Sequence, residues 1–379
     1  MKGRINTVHI EFGRHMYGGA LQVVYLMRGL AERGHGVDLV CAKGSAIETE
    51  ARRSGIPVHP VSVWCDCDPS LVLRVYSEVR KVKPDVVHLH SRRGAEILGG
   101  VAARMARVPA VVLSRRVDDR ISLGALGRLK YNVIPDKIIA ISGGIKKVLS
   151  DCGIDEERLE LVHSAIITAK PQCDRDRKWF ESEFGISQDA PVAGVIAQLI
   201  ERKGHRYFFS VIPDILKEFP DARFLIFGKG PLRAQLESRV QELGISEEVQ
   251  FAGFREDMNR ILTNLDVVVH PALREGLGVS LLQAAYAGVP IVASAVGGIP
   301  EIVRDGETGF LIQPEDTEAI KQSVLKLFRD RELGKRFGEN GRRLVQSEFS
   351  VDQMVDGNLR VYRDVLQNAL QPNTRKEVA

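Results

Sequence analysis

Short apolar runs rich in β-branched residues recur along the whole chain. Most are continuous rather than alternating, which is typical of strands buried on both faces of a parallel sheet. They predict strands at 7–10, 37–41, 86–89, 110–113, 137–141 and 160–162, and again at 192–199, 224–227, 249–251, 267–269, 291–293 and 309–312. Helical patterns lie between them, for example over 21–30, 232–243 and 351–370. Strand alternating with helix, twice over, predicts an α/β fold of two Rossmann-like, doubly wound domains.

The boundary between the predicted domains falls in residues 165–190. This stretch contains Lys170-Pro171 and the mixed-charge run 174–178, and no apolar run in its middle. We therefore expect a first domain at 1–165, a second at 166–350, and a C-terminal helix and tail at 351–379 that packs back toward the first domain. Ligands of open α/β sheets bind outside the carboxyl ends of the strands. Two such domains facing a central cleft would bring residues that follow strands to one ligand.

Composition narrows the class of protein. Of 379 residues, 44% are hydrophobic and 27% charged, as in an ordinary globular protein. No apolar run approaches the roughly 18–20 residues that span a bilayer, and the first residues lack the apolar stretch of a secretory signal, so we expect a cytoplasmic protein. The five cysteines are scattered, which predicts free thiols rather than a metal site.

The charge is distributed unevenly along the chain. Residues 1–165 hold 25 Lys and Arg against 18 Asp and Glu, a net charge of +7, and residues 166–379 hold 28 against 31, a net charge of −3. A basic first half favours an anionic partner, although a solvated surface with a chance excess is equally compatible. Nucleic acid is disfavoured, because only 6% of the residues are aromatic and the basic ones are not interleaved with them.

The first predicted strand is followed by Gly18-Gly19, at the start of a helix. A glycine pair lets backbone amides at a helix N-terminus approach an anion closely, and a tight turn with no ligand is the alternative. The pattern is not the G-x-G-x-x-G of dinucleotide-binding sites, and the acidic residue that such sites have at the end of the second strand is missing from this sequence. A nicotinamide-dependent dehydrogenase is therefore disfavoured.

Polar residues also follow two further strands of the first half. His90 ends the run at 86–89, with His88 on the same face, and a neutral imidazole there can bind a sugar hydroxyl or a carbonyl or be satisfied within the fold. Arginine pairs that could grip a phosphate or carboxylate stand at neighbouring strand ends; they are Arg92, Arg93, Arg115 and Arg116.

The second half has two candidate clusters. Arg202 and Lys203 follow its first strand and could neutralise a diphosphate. Glu275, Gly276 and Gly278 stand at the mouth of a helix. The glycines leave backbone N–H groups bare, the helix dipole favours an anion, and the carboxylate can accept from sugar hydroxyls.

These motifs resemble the retaining glycosyltransferases of family 4, which have the GT-B fold. The resemblance is almost continuous over 192–312 and looser in the first half. Its motifs are Glu275-Gly-Leu-Gly with Gln283, the strings at 287–294, 297–301 and 305–312, and the loops at 227–231 and 251–254. Gly18-Gly19, the string at 34–37 and His88-x-His90 agree with it in the first half.

The resemblance implies roles for residues at the matching positions. Glu275 would hold hydroxyls of the donor sugar, the backbone of Gly276, Leu277 and Gly278 would line the sugar and phosphates, and Lys203 with Arg202 would bind the diphosphate. Gly18 and Gly19 would approach the same phosphates, and His90 would lie near the reacting carbon. Phe251–Phe254, which include Gly253 and Phe254, and the region around Asp305 would border the nucleotide.

Two donor-site positions depart from the family pattern. Gln283 replaces a glutamate that grips the ribose, and Gln198 replaces an arginine at the diphosphate. Both changes concern donor identity and affinity more than reaction class, because a neutral amide forms weaker hydrogen bonds than a charged group.

The sequence therefore predicts metal-independent transfer of a sugar, with retention and without a cofactor. The expected donor is a nucleotide-diphosphate sugar, a UDP-sugar in the first place and a GDP- or ADP-sugar otherwise. The expected acceptor is an anionic glycan, lipid-linked or of lipopolysaccharide type, at an anionic membrane surface. A catalytically silent sugar-nucleotide-binding partner and a GT-B-fold epimerase or phosphorylase are the alternatives.

Overall fold

The computed structural model describes residues 3–16, 18–65, 68–90, 94–121, 124–168 and 173–370. The chain forms two compact units. Unit 1 comprises Met1–Ala165 and Val351–Ala379, and unit 2 comprises Ile166–Ser350.

Unit 1 is built on a parallel sheet. In its described part the sheet has seven strands in the order β3-β2-β1-β4-β5-β6-β7. The strands are β1 (Asn6–Glu11), β2 (Gly36–Ala42), β3 (Val58–Val61), β4 (Val86–Leu89), β5 (Ala110–Arg115), β6 (Lys137–Ala140) and β7 (Leu159–Leu161). The order reverses between β1 and β4, as in the Rossmann arrangement.

Helices follow most strands of unit 1. They are α1 (Gly18–Glu32), α2 (Ala46–Arg53), α3 (Ser70–Val82), α4 (Gly100–Met105), α5 (Ala125–Arg128), α6 (Gly143–Asp151) and, from the end of the chain, α16 (Val351–Leu370). Two π-helical segments, Ala95–Gly99 and Leu129–Val133, adjoin α4 and α5.

Helix α16 is part of the unit 1 core although it is last in sequence. Val355, Leu359 and Tyr362 are buried in the same apolar cluster as residues of α1 and β2. Arg33, the residue that follows α1, pairs with Asp352 of α16 at 2.7 Å. The helix therefore covers the sheet of unit 1.

Unit 2 repeats the plan with a parallel sheet of six described strands, in the order β10-β9-β8-β11-β12-β13. The strands are β8 (Val192–Ile196), β9 (Arg223–Phe227), β10 (Val249–Gly253), β11 (Val267–His270), β12 (Ile291–Ser294) and β13 (Gly309–Ile312). Its helices are α7 (Arg177–Phe184), α8 (His205–Phe209), α9 (Ile212–Glu218), α10 (Arg233–Glu242), α11 (Met258–Leu262), α12 (Val279–Ala287), α13 (Ile299–Ile302), α14 (Thr317–Arg329) and α15 (Arg331–Glu348).

The two sheets confirm the predicted α/β class and differ from the sequence prediction in two places. Strand β3 was not predicted, because its sequence Val-His-Pro-Val is not a continuous apolar run. It is an edge strand, where proline is tolerated since one side of the ladder is unpaired. Strand β8 ends at Ile196, three residues before the apolar run does, because Leu199 turns into a loop and donates its backbone N–H to the Lys229 carbonyl.

Among the helices in the described ranges, none is both long and apolar enough to cross a bilayer.

Candidate active site

The predicted residues of unit 2 gather where its strand order reverses, at the carboxyl ends of β8 and β11. This switch point is where open α/β sheets bind ligands. The loops after the strands contact each other through their backbones: Leu273 N donates to Arg202 O (2.8 Å), Leu199 N to Lys229 O (3.1 Å), and Gly298 N to Gly276 O (3.1 Å). Gly204 lies so close to the Pro271 carbonyl that a Cβ would collide with it. The loops are thus packed into one continuous edge.

Glu275 is the centre of this edge and is buried. One carboxylate oxygen, Oε2, is paired with Lys203 Nζ and lies 2.9 Å from His270 Nε2. The other, Oε1, accepts from the backbone N–H of Gly276 at 3.1 Å. The structure therefore brings together Lys203, Glu275 and Gly276, and adds His270, which the sequence analysis had not singled out.

The surroundings of Glu275 keep it ionised. Burial alone would raise the pKa of the carboxyl, but the hydrogen bond from His270 and the charge of Lys203 outweigh burial and hold the pKa well below its usual range. Burial lowers the pKa of His270, despite the opposing hydrogen bond to Glu275. Since a carboxylate only accepts hydrogen bonds, the neutral imidazole of His270 donates through Nε2–H.

Glycines shape the backbone at the N-terminus of α12, which follows Glu275. Gly278 caps α12 with φ +98°, a backbone conformation that side chains other than glycine rarely adopt. Leu277 is buried, so its side chain is not available to a ligand. The first turn of α12 thus presents bare amides beside the Glu275 carboxylate, a geometry suited to an anion.

The remaining predicted donor residues lie around this centre without contacting Glu275 through any described hydrogen bond. Gln198 is exposed, and Arg202 and Gln283 are half-buried, the latter on α12. Gly253 ends β10 with φ +72°. Phe254 is 64% exposed, with Lys229 Nζ 5.7 Å from its ring centroid.

In unit 1 the predicted residues again stand at the reversal of strand order, after β1 and β4. Helix α1 begins at Gly18. A Cβ at Gly18 would meet nothing within 4 Å, and one at Gly19 would lie 3.5 Å from Arg116 Cδ, an ordinary contact. Neither residue has a positive φ. The fold of unit 1 therefore does not itself require glycine at these positions.

His90 lies in a buried cluster with His9 and His88. The strand register pairs His9 directly with His88, and the ring centroids of His88 and His90 are 3.9 Å apart. His9 Nδ1 and His90 Nε2 are 2.9 Å apart. His88 is hydrogen-bonded to Tyr362 of α16 (2.6 Å) and to Ser114 (2.8 Å). Burial lowers the pKa of all three histidines, that of His9 to about 3.

The three rings are close enough to hold a metal ion, with ligand nitrogens within 4.8 Å of one another. However, all six ring nitrogens have hydrogen-bond partners, including the Thr7 hydroxyl (3.1 Å from His9 Nε2) and Arg116. A cation would have to replace these bonds next to the guanidinium of Arg116. The cluster is better described as a neutral hydrogen-bonded network.

The four arginines that were predicted to bind a phosphate or carboxylate have different surroundings. Arg92 and Arg93 lie outside the described residues. Arg115 is buried, donates to the Asp119 carbonyl at 3.0 Å and lies over the Tyr131 ring, 5.9 Å from its centroid. Arg116 reaches His90 Nδ1 (3.5 Å) and Ser164 Oγ (3.3 Å), and burial lowers its pKa to about 10. Of Arg115 and Arg116, it is Arg116 that the structure brings to His90 and Gly19.

Thr7, His9 and His270 belong to these two clusters and were not predicted from the sequence. The signal for His270 was present, since it is a polar residue that ends an otherwise apolar strand at the same edge as Lys203. His9 and Thr7 lie inside β1 and become significant only through the register that pairs β1 with β4.

Comparison with known families agrees with this geometry. The family model "Glycosyl transferases group 1" matches residues 176–344, and "Glycosyltransferase Family 4" matches residues 17–170. A GDP-mannose-dependent alpha-(1-6)-phosphatidylinositol monomannoside mannosyltransferase of Mycolicibacterium smegmatis is 33% identical over 86% of this chain and 89% of that protein. The lipopolysaccharide core biosynthesis glycosyltransferase LpsE of Rhizobium meliloti is 27% identical over 94% and 98%.

Solved structures show the same fold. A glycosyltransferase from Rickettsia africae superposes with a TM-score of 0.85 at 17% identity, covering 97% of this chain and all of that one. Anabaena Alr3699/HepE, solved with UDP and glucose, superposes with a TM-score of 0.81 at 19% identity, covering 95% and 100%. Two Rossmann-like domains of the GT-B type are thereby confirmed. The chain belongs to glycosyltransferase family 4 and is a glycosyltransferase.

Proposed function

We propose that this enzyme moves a sugar from a nucleotide-diphosphate sugar to an acceptor hydroxyl and retains the anomeric configuration. The observation that carries the proposal is the buried Lys203–Glu275–His270 cluster at the mouth of α12. It places a cation, an ionised carboxylate and bare amides at the switch point of unit 2. A sugar diphosphate offers the matching groups, hydroxyls that donate and phosphate oxygens that accept.

Lys203 stabilises the leaving diphosphate in this proposal. Negative charge grows on the phosphate oxygens as the glycosidic bond breaks, and groups already oriented toward that charge lower the barrier. An ammonium has three N–H donors, so Lys203 can keep its contact with Glu275 and still donate to a phosphate oxygen. Arg202 and the first amides of α12 add positive potential from the same loops.

Glu275 orients the donor sugar. Its oxygens are held by Lys203, His270 and the Gly276 amide, and an ionised carboxylate has lone pairs left for sugar hydroxyls. His90 stands near the reacting carbon, as the resemblance to the family implies. No carboxylate among the first-half motifs is a candidate covalent nucleophile, so we propose attack from the same face, with the donor phosphate taking the acceptor proton.

UDP is the favoured nucleotide, with GDP and ADP as alternatives. Among relatives, a UDP-Gal:alpha-D-GlcNAc-diphosphoundecaprenol alpha-1,3-galactosyltransferase of Escherichia coli is named for UDP-Gal, and the mannosyltransferase of Mycolicibacterium smegmatis is named for GDP-mannose. Phe254 supports a base or ribose site at the edge of unit 2, because an exposed ring next to the Lys229 ammonium offers a stacking face. A thermal-shift series with UDP, GDP, ADP and their sugars identifies the donor, since a ligand of the folded state raises its stability.

The proposed acceptor is an anionic glycan, lipid-linked or of lipopolysaccharide type. The excess of basic residues in 1–165 and the names of two relatives, which act in lipopolysaccharide core biosynthesis and on a diphosphoundecaprenol-linked sugar, support it. Arg92, Arg93, Arg115 and Arg116 are the proposed acceptor contacts, and the same charge favours an anionic membrane surface. Sedimentation with phosphatidylglycerol vesicles tests that surface; binding that ignores both lipid charge and salt contradicts it.

The test of the function is transfer itself. Purified enzyme, the selected donor and a lipid-linked acceptor are expected to give product whose new linkage keeps the donor's anomeric configuration by NMR. Activity is expected to survive EDTA. Glu275→Gln and His90→Ala are each expected to lower turnover on the order of 10²–10³-fold. An inverted product, or activity abolished by EDTA and restored by magnesium, contradicts the mechanism.

A further inference from the structure

Four side chains of unit 1 form a hydrogen-bonded row that ends at His90. Thr7 Oγ1 lies 3.1 Å from His9 Nε2, His9 Nδ1 lies 2.9 Å from His90 Nε2, and His90 Nδ1 lies 3.5 Å from Arg116 Nη2. Thr7, His9 and His90 are buried. Buried polar groups of this kind are oriented by one another, because no solvent competes for their bonds.

The Thr7 end of the row fixes the direction of its bonds. The Thr7 hydroxyl donates its one proton to the Gly36 carbonyl at 3.0 Å. It can therefore only accept from His9 Nε2–H. His9 is neutral, since burial lowers its pKa to about 3. A neutral imidazole has one N–H, so Nδ1 of His9 must accept from Nε2–H of His90.

The Arg116 end of the row independently requires the same direction of hydrogen bonds. A guanidinium only donates, so the Arg116 contact requires a lone pair on His90 Nδ1. Burial and the nearby charge of Arg116 also keep His90 neutral, with its pKa well below the usual range. Both ends of the row thus specify one tautomer of His90, with the proton on Nε2.

We propose that Thr7 and His9 are positioning residues that hold His90 in the Nε2–H tautomer, so that His90 meets substrate only as a hydrogen-bond acceptor through Nδ1. This inference rests on the proposed role of His90 in transfer and specifies it. The N–H of the ring is used inside the row, toward His9. The 3.5 Å contact with Arg116 is the longest of the three and is the one that a substrate group can replace.

The tautomer determines what His90 recognises. A lone pair binds a group that carries a proton, which on a sugar is a hydroxyl. It does not bind a carbonyl, a phosphate oxygen or a departing oxygen, each of which needs a donor. Of the two partners open to a histidine at this strand end, a sugar hydroxyl or a carbonyl, the row selects the hydroxyl.

NMR of the ring nitrogens tests the tautomer directly. In protein labelled with ¹⁵N-histidine, long-range ¹H–¹⁵N spectra separate protonated from unprotonated ring nitrogens, and His90→Ala identifies the His90 signals. The free wild-type enzyme is expected to show Nε2 protonated and Nδ1 unprotonated. Thr7→Val removes the accepting oxygen at nearly constant shape, so a population with Nδ1–H should appear, whereas Thr7→Ser keeps the oxygen and the wild-type spectrum.

Kinetics then test whether the tautomer matters for transfer. Thr7→Val is expected to lower kcat on the order of ten-fold, about the most that the net loss of one orienting hydrogen bond should cost, with the donor KM unchanged. Thr7→Ser should retain most of the rate. In a His90→Ala background Thr7→Val should cost nothing further, because its effect passes through His90. A merely structural role of Thr7 would lower the rate in both backgrounds.

Two results would overturn the inference: Nδ1 protonated in the wild-type spectrum, or a Thr7→Val loss that persists without His90. Full turnover of His90→Ala would also overturn it, by removing His90 from the reaction. Only that last result also contradicts part of the proposed function, namely the role of His90. The roles of Lys203 and Glu275 are tested separately by variants of those residues.

Discussion

Glu275 keeps its charge in a buried position because two neighbours replace the solvation that it loses. Lys203 supplies the opposite charge, and His270 supplies a neutral donor at 2.9 Å. A buried carboxylate without such partners would take up a proton instead. The surroundings of Glu275 therefore keep it an ionised hydrogen-bond acceptor.

His270→Leu tests this arrangement at the residue scale. Losing a hydrogen bond to the charged form raises the pKa of Glu275, so the acid limb of the kcat profile should move to higher pH. Turnover at neutral pH is expected to fall on the order of ten-fold, since a lost bond to a charged group is worth about 1.5–3 kcal/mol.

His270→Gln is the matched control, because its amide N–H can occupy the place of Nε2–H. It should retain more activity and shift the acid limb less. Identical profiles for the Leu and Gln variants would mean that His270 fills space and does not orient Glu275.

The variant Gly19→Ala tests whether the first turn of α1 takes part in binding the donor. Alanine is favoured over glycine in helices by up to about 1 kcal/mol, and a Cβ there meets only Arg116 Cδ at 3.5 Å. Gly19→Ala should therefore leave the melting temperature unchanged or raise it. Transfer should fall by about ten-fold or more, because a methyl group displaces a phosphate from the amides.

Gly29→Ala, in the same helix, is a control that is expected to have the opposite effect on the melting temperature. Its Cβ would lie 2.5 Å from Val355 of α16, so the variant should melt at lower temperature. A Gly19→Ala enzyme that is as active as wild type would remove the glycine pair from the donor site.

The elements also show what the sequence could and could not predict. The strands of both sheets were predicted to within a few residues where apolar runs are continuous, as at β4 and β13. Strand β3 was missed because its His-Pro pair is tolerated only at an edge. An edge position follows from the order of strands, which local sequence does not contain.

The same reason separates the predicted site residues from the missed ones. Lys203 and Glu275 follow strands and belong to recognisable strings, so position along the chain was sufficient to predict them. Thr7 and His9 lie within an apolar strand, and their contacts depend on the register that sets His9 against His88 and on the ring of His90, which directly follows β4. Tertiary pairing, not local pattern, creates that network.

At the scale of the whole molecule, buried neutral histidines make stability depend on pH. The pKa of His9 is about 3 in the folded protein and about 6.5 in an unfolded chain. Above pH 6.5 His9 is neutral in both states. As the pH falls below 6.5 the unfolded chain binds a proton that the folded protein does not, so its contribution to stability is progressively lost until pH 3. At pH 5 the loss is about 2 kcal/mol.

Urea unfolding at pH 7.5 and pH 5 measures this effect. A spectroscopic probe located in unit 1 reports the unfolding of that unit separately from unit 2. The free energy of unfolding should fall on acidification, and His9→Asn should reduce that fall by about 2 kcal/mol. His88 and His90 are also buried with lowered pKa values, so part of the fall should remain. An equal fall in wild type and variant would show that His9 is protonated in the folded protein.

The most direct test of the account is calorimetric titration of UDP, GDP and ADP into the wild-type enzyme, Lys203→Gln and Lys217→Gln. Lys217 is an exposed lysine of α9 paired with Asp214 and serves as the charge-matched control. If Lys203 holds the diphosphate, the nucleotide that binds wild type should bind Lys203→Gln about ten-fold or more weakly, while Lys217→Gln binds normally. Equal affinity in all three proteins, each shown to be folded, would mean that this buried lysine and carboxylate do not form the donor site.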